Sequence, residues 1–192
     1  MTLACLAIMQ DEAAYVERWA RGLRRLPGIF DEVLVVDGGS TDDTPDRLHA
    51  LGICIARRPF SGNFADQRNH GLDLLHAEWV FELDADEVPS VPLLGGLRAI
   101  CADADRAQMD VVGIPRLNFL DGKLVQSPGA RGLDYQYRLH RRSCRWRGAV
   151  HEEVVGYRAR YELELSEGHY LLHDKSSERH AARNAYYGTL QP

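Results

Sequence analysis

The sequence predicts an α/β protein, with a Rossmann-like, mostly parallel central sheet flanked by helices and then an antiparallel C-terminal portion. Three observations carry that prediction. Short apolar runs at Leu3 to Met9, Val33 to Val36, Ile53 to Ala56 and Trp79 to Leu83 alternate with stretches of helical periodicity, the order in which strands and crossover helices build a parallel sheet. The run Val33 to Val36 is continuously apolar, as in a strand covered on both faces. Beyond Glu87 the pattern changes to alternating segments separated by turn residues, which reads as hairpins.

In chain order, Leu3 to Met9 is the first strand. Asp11 is expected to cap a helix whose apolar face is Val16, Trp19, Ala20, Leu23 and Leu26, ended by Pro27-Gly28. The second strand, Val33 to Val36, runs into Asp37-Gly38-Gly39-Ser40-Thr41-Asp42-Asp43. Thr44 is expected to cap a short helix with Pro45 at its first position and Gly52 beyond its end. Ile53 to Ala56 is the third strand, and Ser61-Gly62-Asn63 leads into a helix from about Phe64 to His76. Trp79 to Leu83 is the fourth. Pro89 and Pro92 open a helix reaching about Ala104, followed by a strand around Val111 to Pro115 and a tight turn at Leu120-Asp121-Gly122-Lys123. Tyr135, Tyr137 and Leu139 alternate with Gln136, Arg138 and His140, the pattern of a strand wet on one face. Gly148 to Val154 reads as a short strand with His151 and Glu153 on one side and Glu152 on the other. Gly168 to His173 delivers His173 ahead of a helix from Ser176 to Tyr187.

The chain has 192 residues, 45% hydrophobic and 27% charged, enough for one domain with a full core. We expect a single domain with a nucleotide-binding half, 1–87, and an acceptor-binding half, 88–192. A net charge of −5 gives no reason to expect nucleic acid, although six arginines lie between Arg131 and Arg147, where a solvated strand face or contact with an anion are the two readings. No apolar run approaches a membrane span and no signal peptide is recognisable, so a cytoplasmic chain is expected, free or in contact with the inner face of the membrane. Cys5, Cys54, Cys101 and Cys144 lack metal-ligand spacing and read as reduced thiols.

Parallel strands joined by right-handed crossovers share one carboxyl edge. Asp11 and Glu12, then Asp37, then Arg57 and Arg58, then Asp84 and Asp86 follow the four strands in turn, so all open on one crevice of the kind that binds nucleotides. Asp84-Ala85-Asp86 lets two carboxylates converge, at a cost in repulsion that a hard divalent cation would remove; a helix cap or solvated turn is the alternative. Arg68 shares a helix face with Leu72 and Leu75 and needs an anionic partner there, either an edge carboxylate such as Asp37 or a nucleotide. A carboxylate of the His151-Glu152-Glu153 run is suited to act as a general base on a hydroxyl group. The turn Gln10-Asp11-Glu12 lacks the glycines of a dinucleotide fingerprint, and no Gly-rich loop ends in Lys-Ser/Thr, which excludes dehydrogenases and phosphate-loop ATPases.

In this order, Val35 to Thr44, Asp66-Gln67-Arg68-Asn69-His70-Gly71-Leu72, Leu83-Asp84-Ala85-Asp86-Glu87 and Trp146-Arg147-Gly148-Ala149-Val150-His151-Glu152 resemble the catalytic domain of glycosyltransferase family 2, with the GT-A fold. Within it they are most similar to the lipopolysaccharide core β-glucosyltransferase subgroup. The resemblance implies inverting transfer of a sugar from a nucleotide-sugar, usually a UDP-sugar, to a hydroxyl of a glycan or glycolipid acceptor, with Mn²⁺ or Mg²⁺ on the diphosphate. It implies that Asp37 meets uracil or ribose, that Arg68 and Glu12 line the donor site, and that Asp84 reaches ribose or metal. Asp86 and His173 would then ligate the metal. Glu152 would be the catalytic carboxylate, with Glu153 the fallback. Relatives of that subgroup continue beyond the last helix, so acceptor elements are expected elsewhere or from a partner. A non-catalytic nucleotide- or sugar-binding module on the same fold is the rival reading; a nucleotidyltransferase would need a Gly-rich, Arg-containing loop after the first strand.

Overall fold

The computed structural model describes residues 1–125 and 134–190. Its first half is built as the sequence predicts: strands β1 (Leu3–Met9), β2 (Glu32–Asp37), β3 (Cys54–Arg57) and β4 (Trp79–Glu82) are joined by helices α1 (Ala13–Arg24), α2 (Thr44–Ala50) and α3 (Phe64–Leu74). They lie side by side as β3-β2-β1-β4, all parallel.

The chain continues as β5 (Glu87–Pro89), α4 (Val91–Arg106), β6 (Val111–Leu120), β7 (Lys123–Val125), β8 (Asp134–Arg141), β9 (Arg145–Arg147), β10 (Glu153–Val155), β11 (Arg160–Glu162), β12 (Leu171–Lys175) and α5 (Ser177–Leu190). The same sheet extends as β4-β8-β6-β12-β5, so both halves share one continuous layer. β8 is antiparallel to β4 and β6, β7 to β6, and β5 to β12, giving the expected antiparallel portion; β11 and β12 run parallel to β6. β9 and β10 form a separate antiparallel ribbon.

The strand period of two sorts the core. Leu3, Cys5, Ala7 and Met9 of β1 join Val16, Trp19 and Leu23 of α1 and Leu93 and Leu97 of α4 on one face. Ala4 and Leu6 join Leu72 and Ala65 of α3 on the other. On β4 the same alternation sends Trp79 and Phe81 to the first face and Val80 to the second. Glu82 therefore points beneath α3, where it is fully buried. Gly71 brings α3 close to the sheet: a Cβ there would stand 2.5 Å from Leu6 Cδ1 and 3.0 Å from Val36 Cγ2.

Several local expectations are corrected. Asp11 does not cap α1; it adopts φ 53° and accepts from the backbone of Thr41 at 2.7 Å. Thr44 likewise gives α2 no side-chain cap, because its hydroxyl accepts from Glu12 N at 2.7 Å. Pro89 ends β5, and Ser90 caps α4 through Leu93 N at 3.2 Å. The face of β8 carrying Arg138 and His140 is not wet: these side chains are buried because carboxylates meet them. Gly148 to Glu152 is not a strand but the β9–β10 connection, with Gly148 at φ 106° and His151 at φ 56° breaking the alternation. The turn at Asp121-Gly122 is as expected, both residues having positive φ, as a type I′ hairpin demands.

Candidate active site

A cavity of about 930 Å³ opens at the carboxyl edge of β1 and β4. One wall is formed by Gln10 to Glu12 and Gly38, with Phe60 and Phe64 beside them; Tyr135, Tyr137 and Tyr157 also line the cavity. That wall is two loops sewn together. Asp11 N donates to Ser40 Oγ at 2.9 Å, Ala13 N to Asp42 Oδ2 at 3.1 Å, and Glu12 N to Thr44 Oγ1. This explains the Ser-Thr-Asp-Asp-Thr run after β2: its hydroxyls and carboxylates satisfy backbone N–H groups of the β1–α1 turn.

The floor is organised by Arg68. Its Nη1 donates to Glu82 Oε2 at 2.8 Å, Nη2 to Asp84 Oδ1 at 3.0 Å and Nε to Glu152 Oε1 at 2.8 Å. Its guanidinium lies 5.0 Å from the Trp146 ring centre. Burial opposes the charge, but Asp84, Glu82 and Glu152 outweigh it and hold Arg68 protonated far above the ordinary arginine range. Glu82 is also met by Trp146 Nε1 and, at 3.0 Å, by His140 Nε2. Burial pushes its carboxyl pKa up, and Arg68 and His140 more than reverse that, leaving it below the usual value. Arg138 contacts Asp84 and lies 3.5 Å from Glu87, and Arg116 bridges Glu87 at 2.9 Å and Asp134 at 2.6 Å.

Of this second tier, Glu82, His140 and Arg116 were not anticipated as site residues, whereas Glu87 is one of the carboxylates expected where the fourth strand leaves the sheet and Trp146 opens the Trp146 to Glu152 motif. The available signal was a charged residue inside an apolar strand, Glu82 in Trp79 to Leu83 and Arg116 in β6, since a buried charge requires a partner.

The structure brings several of the expected site residues together. Glu12, Arg68, Asp84, Glu152 and Glu153 all line the cavity. Glu152 is largely buried on Arg68, whereas Glu153 is exposed and pairs with Arg147 at 2.5 Å. Asp37 is 1% exposed, and its carboxylate accepts from Gly39 N at 3.1 Å and Ser40 N at 3.2 Å, so that it shapes the turn whose Gly38 faces the cavity. Arg68 finds its partners in Glu82, Asp84 and Glu152 rather than in Asp37.

Of the expected metal ligands, Asp86 and His173 come together, with His173 Nε2 3.4 Å from Asp86 Oδ2. Asp84 lies on Arg68 and Arg138 instead. Among the described residues no three His, Cys, Asp or Glu side chains form a ready metal cage. The two side chains suit a hard divalent cation, since such ions are commonly held by one or two protein groups with substrate phosphates and water completing the shell, but Asp86 and His173 are 1% and 5% exposed and neither is among the residues lining the cavity.

The chain is similar in sequence and in fold to known proteins. An uncharacterized glycosyltransferase of Rickettsia felis is 34% identical over 100 residues, covering 52% of this chain and 34% of that protein. The SPbeta prophage-derived glycosyltransferase SunS of Bacillus subtilis is 25% identical over 158 residues, covering 81% of this chain and 35% of SunS. The chain thus spans about a third of the length of these relatives. Among solved structures, S. aureus TarS 1-349 in complex with UDP-GlcNAc superposes with a TM-score of 0.53 at 23% identity, over 66% of this chain and 37% of that one. Glucosyl-3-phosphoglycerate synthase of Mycobacterium tuberculosis, with Mn²⁺, UDP-glucose and phosphoglyceric acid, does so at 0.50 and 22% identity, over 63% and 44%. The shared fold is GT-A. The sequence model described as Glycosyl transferase family 2 matches residues 7–158, most of the chain, and the chain belongs to that family.

Proposed function

We propose that this chain carries the donor site and catalytic base of an inverting glycosyltransferase that moves a sugar from a nucleotide-sugar, most simply a UDP-sugar, to an acceptor hydroxyl. The observation that carries the reading is the meeting of Arg68, Asp84 and Glu152 at the floor of one cavity, from elements far apart in the chain. UDP-GlcNAc in TarS and UDP-glucose with Mn²⁺ in glucosyl-3-phosphoglycerate synthase support the donor class. The half 1–87 holds the sewn loops and Arg68 for the nucleotide, and the cavity-lining tyrosines of 88–192 face the acceptor.

Glu152 takes the acceptor hydroxyl's proton as its oxygen bonds to the anomeric carbon, while the bond from that carbon to the donor phosphate oxygen breaks. Arg68 orients Glu152 beside Asp84, so base and donor are aligned by one rigid fork. Asp86 and His173 would hold a divalent cation; when bound, it offsets the charge on the departing nucleoside diphosphate. Arg138 and Arg116 fix Asp84 and Glu87 in place. The acceptor we propose is a cell-envelope glycan or glycolipid, which rests on the resemblance to the lipopolysaccharide core subgroup. No helix among the described residues is long and apolar enough to cross a membrane.

The test is a panel of nucleotide-sugars incubated with the chain and Mn²⁺, read as released nucleoside diphosphate. Slow release from one donor, abolished by chelation, is expected. Donor binding with no release on any acceptor extract would favour the binding-module reading.

A further inference from the structure

The residues around His173 form a chain that decides which of its nitrogens faces Asp86. Asn118 and His173 are paired across the parallel β6–β12 contact, and Arg116, two residues earlier, pairs with Asp134 of β8. Asp134 is held firmly, by Arg116 Nε at 2.9 Å and Nη2 at 2.6 Å on one oxygen and by Gln136 Nε2 at 2.8 Å on the other. Asn118 Nδ2 donates to Asp134 Oδ2 at 3.0 Å. That bond fixes the amide, because only its NH₂ end can donate to a carboxylate. The amide oxygen is therefore the end turned to His173, whose Nδ1 lies 2.7 Å away. An amide oxygen only accepts, so Nδ1 carries the hydrogen and Nε2 is the nitrogen directed at Asp86.

We propose that Asn118, pinned by Asp134 and Arg116, is a positioning residue that holds His173 in the Nδ1–H tautomer and so presents Nε2 as the ligand beside Asp86. The inference rests on the metal reading above, but makes a separate claim about Asn118. A histidine that ligates through one nitrogen is oriented by the bond its other nitrogen makes, and loss of such a partner costs roughly 10–100-fold in metal affinity.

Nitrogen-15 NMR of labelled histidine reads directly which ring nitrogen of His173 carries hydrogen, with His173→Gln assigning the signal. Mn²⁺ uptake in the presence of UDP is read by electron paramagnetic resonance. The expected result is Nδ1–H in the parent chain, a switch to Nε2–H in Asn118→Leu, and Mn²⁺ affinity weakened about 10–100-fold. Should Asn118→Leu fail to fold, Asp134→Ala frees the amide without touching His173 and should give mixed tautomers. Nε2–H in the parent chain, or an unchanged tautomer and Mn²⁺ affinity in folded Asn118→Leu, would overturn the role of Asn118. Tautomers as expected with no Mn²⁺ uptake by the parent chain would instead overturn the metal reading, and with it the purpose assigned here to Asn118.

Discussion

Arg68 Nε lies 2.8 Å from Glu152 Oε1, joining residues 84 positions apart in sequence. The same guanidinium holds Glu82 and Asp84, so the placing of the proposed base and the placing of the strand-end carboxylate are one structural event. Arg68 reaches that point because Gly71, one turn further along α3, lets the helix approach β1.

Removing this cation should be costly. Arg68→Met leaves Glu82, which is fully buried, without its charge partner, and breaking a buried ion pair in this way costs about 3–5 kcal/mol. Arg68→Lys should lose less yet still be destabilised, since one ammonium cannot reproduce three bonds in fixed directions. Urea denaturation measures both; a midpoint unchanged in Arg68→Met would contradict the hub.

Acid should undo the same network. Although burial raises the Glu82 pKa, Arg68 and His140 bring it below the ordinary glutamate value. With the folded-state pKa depressed, its stabilisation is complete above the unfolded value of about 4.3 and is lost as pH falls through the folded one. Stability of the parent chain should fall as pH drops below about 4.3. Glu82→Gln should be less stable at neutral pH and show a shallower acid limb, the remainder coming from other lowered carboxylates such as Asp134 and Asp110. Equal slopes would remove Glu82 from the account.

Glu152→Gln should bind donor as well as the parent chain while losing roughly 10²–10⁴-fold in turnover, the usual contribution of a general base. Glu153→Gln, altering an exposed side chain paired with Arg147, should change turnover little. Calorimetry with the donor and a rate assay separate the two effects. The reverse ranking would move the base to Glu153.

Gly71→Ala tests the packing beneath the site. The added methyl meets Leu6 Cδ1 at 2.5 Å and Cδ2 at 2.9 Å, and Leu6 is fully buried, so neither side can yield freely. Overpacking of this kind costs about 1–3 kcal/mol. Denaturation of Gly71→Ala at or above parent stability would show that α3 sits further from the sheet.

The first half of the fold was legible because its strands are short apolar runs whose ends carry the polar residues. The helix expected from about Phe64 to His76 begins where Ser61-Gly62-Asn63 placed it, the Asn63 side chain accepting from Asp66 N at 3.1 Å, and ends at Leu74. Arg138 and His140 misled because alternating polarity normally marks a solvated face. Here the polar residues are buried against Glu82, Asp84 and Glu87, partners that no local pattern reveals. Gly148 to Glu152 misled for a different reason: positive φ at Gly148 and His151 turns the chain where residue types alone suggested a strand. The parallel pairing of β6 with β12 joins segments more than fifty residues apart, and it is this contact that creates the Asn118–His173 bond.

The most direct measurement is the thermal shift produced by UDP with and without Mn²⁺, in the parent chain and in Asp86→Asn. A ligand at about 100 times its Kd stabilises by about 2.7 kcal/mol, readily seen as a rise in Tm. We predict a rise for the parent chain only when UDP and Mn²⁺ are present together, and loss of that metal-dependent part in Asp86→Asn. An equal rise without metal, or an undiminished one in Asp86→Asn, would contradict a donor site built on Asp86 and His173.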